Sequence, residues 1–177
     1  MKRSFLLATA VAAAAALPSA ASAAVPAPDV PSVIAVTGDE KPFLAAHAKG
    51  VQIYACRSGA WALVAQRATL YGDNDRVIAS HFGGPTWQAR DGSSVVATRD
   101  APPATVDPTA IPWLRLRATS TSAGADGDKL VKTSYVQRVA TTGGLAPAAS
   151  SCDAGTVGDR VEVPYTADYY FWRESGR

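Results

Sequence analysis

Apolar and polar residues along this chain alternate in short runs, and turn-forming residues separate the runs. Val51-Gln52-Ile53-Tyr54-Ala55-Cys56 sets Val51, Ile53 and Ala55 on one face and Gln52, Tyr54 and Cys56 on the other, the period of two that marks a strand. Other strand-like runs fall at Pro42 to Ala48, Trp61 to Tyr71, Val77 to Phe82, Ser94 to Arg99, Trp113 to Ser120, Leu130 to Thr141, Val161 to Val163 and Ala167 to Trp172. Lys49-Gly50, Arg57-Ser58-Gly59, Gly72-Asp73-Asn74-Asp75, Asp91-Gly92, Gly143-Gly144 and Pro164-Tyr165-Thr166 punctuate them. Asp107-Pro108 fits a helix cap followed by proline, which predicts a single helical turn from Pro108 to Trp113. No stretch after the N-terminal segment keeps a long helical period. The pattern predicts an all-β fold, a single antiparallel β-sandwich or small β-barrel with at most short helical turns.

The N-terminal segment follows different rules. Met1-Lys2-Arg3 is basic, Phe5 to Leu17 is apolar apart from Thr9, and Ala21-Ser22-Ala23 is a small-x-small cleavage site. Residues 1–23 therefore read as a cleaved signal peptide, 24–32 as an extended lead-in with three prolines, and 33–177 as one β domain. The apolar stretch is shorter than the roughly 20 residues that span a bilayer, so no stable membrane anchor is expected. The expected location is periplasmic or secreted.

Charge and cysteine content sharpen this picture. Of seventeen basic residues, Lys2 and Arg3 belong to the signal, which leaves fifteen against fifteen acidic ones. A neutral exported chain argues against nucleic acid or an anionic membrane as partner, since both need clustered Lys and Arg. Cys56 and Cys152, the two cysteines, predict one disulfide in an oxidising compartment. Such a long loop, once closed, contributes about 4–5 kcal/mol in the chain-entropy account.

His81-Phe82-Gly83-Gly84-Pro85-Thr86-Trp87-Gln88-Ala89-Arg90-Asp91-Gly92-Ser93 packs a histidine, a Gly-Gly-Pro turn, a tryptophan and an Asp-Gly turn into one stretch. It reads as a tight corner between strands, with Trp87 packed inward and His81 at its edge. Glycine permits the positive φ that such a corner needs. His47 and His81 are the only histidines. Either one with a carboxylate could act as a general base, and the candidate catalytic residues are His81, Asp91 and Asp168. The same groups would suit a divalent metal only if folding brought them together, and their spacing shows no metal-ligand pattern. The expectation is no metal and no cofactor. Trp87, His47 and Tyr165 are the candidate binding residues. Trp87 reads first as core and second as a stacking platform for a ligand ring.

Ala46 to Cys56, His81 to Ser93, Ile111-Pro112-Trp113-Leu114, Tyr135-Val136-Gln137-Arg138-Val139 and Pro164 to Phe171 together resemble a family of exported bacterial and fungal proteins of unknown function. The resemblance implies export and a single small domain, and it supplies no catalytic residues. Members often carry glutamate after Gly-Pro-Thr-Trp, where this chain has Gln88. Fungal members are sometimes labelled malate dehydrogenase-like, but this chain has no Gly-x-Gly-x-x-Gly after a strand and no strand–helix alternation. It also lacks Gly-x-Ser-x-Gly, His-Glu-x-x-His, a phosphate loop and Cys-x-x-Cys. The expected function is an exported, monomeric β domain that binds a small molecule, glycan or protein. The alternative is a hydrolase-type enzyme using His81 with Asp91 or Asp168.

Overall fold

The period-two runs fold into eight strands, β1 (Glu40–Arg57), β2 (Ala60–Tyr71), β3 (Val77–Phe82), β4 (Thr86–Ala89), β5 (Ser94–Arg99), β6 (Leu114–Ser122), β7 (Tyr135–Gly143) and β8 (Arg160–Glu174). They belong to a computed structural model that describes residues 24–176. The signal-peptide expectation for residues 1–23 lies outside the described residues. Each strand pairs antiparallel with the next, and β8 pairs back onto β1. The sheet is thus a closed up-and-down barrel, which leaves no open edge. Alternation alone had left sandwich and barrel open; the long pairing from Glu40 opposite Glu174 to Ala55 opposite Arg160 decides for the barrel.

From Leu44 to Tyr54 the even-numbered residues of β1 point inward, with Ala46 and Ala48 buried, while His47 and Lys49 are exposed. Leu70, Ala79, Trp87, Val95, Val136, Tyr169 and Phe171 come from other strands into the same apolar cluster. Lys49, Arg67, Gln88, Arg117 and Asp168 sit at outward positions on the strands. No helix among the described residues is long and apolar enough to cross a membrane.

Several expected boundaries move. Lys49-Gly50 does not end a strand; β1 runs through it. A Cβ at Gly50 would lie 2.2 Å from the Arg67 carbonyl oxygen and 2.5 Å from the Ala68 Cβ, so glycine here permits close approach of β2. Pro164 likewise interrupts nothing: β8 continues through it, opposite Val51, and its carbonyl accepts from Gly144 N at 2.9 Å. Leu130, expected to open a strand, lies in a turn, and β7 begins only at Tyr135. Its side chain is fully buried, because that turn plugs one end of the barrel core.

The expected helical turn at Pro108 to Trp113 is an isolated turn instead. Asp107 Oδ1 accepts from Thr109 N and Oγ1, both at 2.7 Å, and Trp113 then bridges back to Ala104. The lead-in ends in a short 3-10 turn, Ser32–Ile34, whose fully buried Ile34 covers the outside of β7. Gln137 Nε2 donates to the Ile34 carbonyl at 2.7 Å. The Cys56–Cys152 disulfide is formed, with Cα atoms 5.4 Å apart, and ties the end of β1 to the loop before β8.

Candidate functional site

One circumferential row of the barrel organises its interior. Gly50 pairs with Tyr165 on one side and Ala68 on the other; Ala68 pairs with His81, and His81 with Trp87. Paired residues share a face, so these side chains converge inside. The two smallest, Gly50 and Ala68, leave room for the three rings. His81 therefore lies in the core, 4% exposed, and not at the edge of the corner. The corner itself forms as expected. Gly84 adopts φ +66°, Thr86 Oγ1 donates to the Gly84 carbonyl at 2.9 Å, and Trp87 is 1% exposed.

The imidazole of His81 stacks on the Trp87 indole, centroids 4.4 Å apart and planes 11° from parallel. Tyr169 closes against both rings, at 5.4 Å and 5.5 Å. His81 Nδ1 lies 2.9 Å from the Thr86 carbonyl oxygen. A carbonyl only accepts, so Nδ1 carries the proton and Nε2 keeps its lone pair. Burial pushes the His81 pKa down to about 4; the bond to Thr86 opposes that shift and the Arg138 charge adds to it. At neutral pH the ring is uncharged.

Beside these rings is a cavity of about 300 Å³. It sits at the barrel end formed by the close of β1, the start of β2, the β3–β4 turn and the 100–113 connection. Gln52, Tyr54, His81, Trp87, Arg138 and Tyr169 contribute its polar and aromatic wall, and Ile111, Leu114 and Leu116 its aliphatic wall. Arg138 reaches the interior because it pairs with Leu114 and Tyr169, both inward-facing. Its Nη2 donates to the Pro112 carbonyl at 2.8 Å. Tyr54 donates to the Gly144 carbonyl at 2.7 Å. Gly144, at φ +77°, has no room for a side chain, since a Cβ would meet Tyr165 Cβ at 2.9 Å and Ile111 Cγ2 at 3.0 Å. Gly143-Gly144 thus shapes the cavity wall besides ending β7. Three wall residues carry a buried polar atom without a partner: Gln52 Nε2, Trp87 Nε1 and Arg138 Nε. Unpaired buried donors are costly and uncommon in folded proteins.

The structure brings neither Asp91 nor Asp168 to His81. Asp91 organises turns: Oδ1 accepts from Ser93 N at 3.0 Å and Ser93 Oγ at 2.6 Å, and Oδ2 from Lys129 N at 2.9 Å. The Ser93 hydroxyl bond, then these backbone bonds, hold its carboxyl below the usual range. Asp168 points outward and meets His47, Oδ1 to Nδ1 at 2.7 Å, while His47 Nε2 lies 3.4 Å from Asp73 Oδ1. The Asp168 hydrogen bond raises the pKa of the exposed His47. Of the candidate binding residues, Trp87 lines the cavity. Tyr165 lies behind it, its hydroxyl 3.3 Å from that of Tyr169, and His47 is on the outer surface. Arg138 and Gln52 were missed as site residues. Their signal was a polar residue recurring on the inward face of a strand, beside Val136 in β7 and Tyr54 in β1.

Residues 72–173 match the profile of DUF3455, a family described as proteins of unknown function. The chain belongs to the DUF3455 family. The DUF3455 match begins at the close of β2, so Gln52 and Tyr54 of the cavity wall come from outside it. No curated protein and no solved structure matches the chain.

Proposed function

We propose that this DUF3455 protein binds a small molecule inside its barrel. The observation that carries the reading is the cavity: about 300 Å³, aromatic and aliphatic in its lining, with unpaired polar atoms on Gln52, Trp87 and Arg138. That volume is at the lower end of the roughly 300–1,000 Å³ of ligand pockets, which are mostly apolar with a few convergent polar groups. A cavity of this size inside a barrel favours a small molecule over a glycan chain or a protein. The hydrolase alternative draws less support. His81 keeps the Nε2 lone pair of a neutral imidazole, but the carboxylates Asp91 and Asp168 are engaged elsewhere.

A fragment screen by protein NMR tests the proposal. Bound fragments should shift the indole Nε1–H of Trp87 and the amides of Gln52 and Arg138. Binding confined to the outer surface around His47 would refute it. We propose further that the protein is exported with its N-terminus at Ala24; N-terminal sequencing of protein from the extracytoplasmic fraction checks this.

A further inference from the structure

The cavity carries positive charge without an internal counter-charge. Arg138 and Arg99 line it, and no aspartate or glutamate does. Among the described residues neither arginine forms an ion pair with a carboxylate. The other barrel arginines show what a satisfied guanidinium looks like here. Arg67 is bidentate to Glu162 at 2.7 Å and 2.6 Å, and Arg115 holds Asp100 at 3.1 Å. Arg138 has the Pro112 carbonyl at 2.8 Å and the Tyr169 hydroxyl as partners but no carboxylate, and its Nε has no partner. Guanidinium groups inside a protein are normally paired, and their fork geometry matches a carboxylate. The same cavity is lined by Gln52, 2% exposed with Nε2 unpartnered, and by Trp87, 1% exposed with Nε1 unpartnered. All three free atoms are donors. The remaining wall is ring and aliphatic surface.

We propose that the ligand of the barrel cavity is a small organic anion, a carboxylate with an aromatic or aliphatic body. Its carboxylate is received by Arg138 and the donor of Gln52, and its body lies against Trp87, Leu114 and Leu116. Neutral His81 completes the wall without adding charge. This inference rests on the reading of the cavity as a small-molecule site and narrows the ligand class.

The test uses the disulfide-bonded protein beginning at Ala24 and matched probe pairs: benzoate with benzamide, phenylacetate with phenylacetamide, hexanoate with hexanamide. Affinities come from NMR titration at neutral pH. At least one acid should bind tenfold or more tighter than its amide, with shifts at Trp87 Nε1–H. That comparison needs no variant. Arg138→Gln should abolish the preference for the acid, and Arg138→Lys should retain part of it. Acids and amides binding alike, or amides binding in preference, would overturn the anion assignment while leaving the small-molecule reading intact. Failure of both series to bind in the cavity would overturn the two together.

Discussion

Replacing Trp87 by alanine removes the ring on which the inner end of the cavity is built. A tryptophan buries about 150–250 Å², which at ~25 cal/mol per Å² corresponds to about 4–6 kcal/mol. Two features lower the figure. One side of the indole already borders the cavity, so fewer contacts are lost, and its Nε1–H has no acceptor, so deletion relieves about 1 kcal/mol of desolvation. The expected loss is about 3 kcal/mol, the lower end for tryptophan-to-alanine changes in cores. Trp87→Phe keeps ring contacts with Tyr169 and Phe171 and should cost about 1 kcal/mol. Urea unfolding at neutral pH with the disulfide intact, followed by far-ultraviolet circular dichroism, gives both values. A second readout comes from His81. With its stacking partner gone the imidazole is hydrated, and its pKa should rise from about 4 toward the ordinary value. An alanine variant within about 0.5 kcal/mol of the parent, at unchanged denaturant slope, would show that Trp87 is not core and refute the reasoning.

His81 also predicts a pH dependence. Its folded pKa of about 4 lies below its unfolded value near 6.5. Between the two the unfolded chain binds more protons. The stability is therefore complete above about pH 6.5 and declines by about 3 kcal/mol as pH falls to about 4. His81→Gln should flatten that part of the curve; an equal slope in parent and variant would count against it. Replacing Cys56 and Cys152 together by serine should lower stability by about 4–5 kcal/mol, because 96 residues of sequence separate the bonded pair. Denaturant midpoints check this, and an unchanged midpoint would contradict it. Gly50→Ala drives a methyl into the Arg67 carbonyl and should cost about 1–3 kcal/mol by overpacking. The same unfolding assay measures it, and a neutral result would mean that β1 and β2 can part there.

What the chain determined locally was legible before folding. Alternation along Val51 to Cys56 and Ala167 to Trp172, glycine and Asp-Gly turns, and the absence of a long helical period set an all-β fold, because a strand's two faces are written directly in its sequence. Paired cysteines predicted the disulfide, and Gly83-Gly84-Pro85 predicted the corner. Alternation does not say which face is inner. In β1 the polar face, Gln52 and Tyr54, turns inward, and Val51 and Ile53 stay half-buried outside. Nor does local sequence separate a glycine that turns the chain from one that lets a neighbour approach. Hence Gly50 reads as a strand end and lies mid-strand, and apolar Leu130 reads as strand and lies in a buried turn. The site belongs wholly to tertiary structure. His81, Arg138 and Gln52 are far apart in sequence and meet only because closing β8 onto β1 fixes the register of every strand around the barrel. The same closure sends Asp168 outward to His47, since a one-residue step along a strand reverses the face.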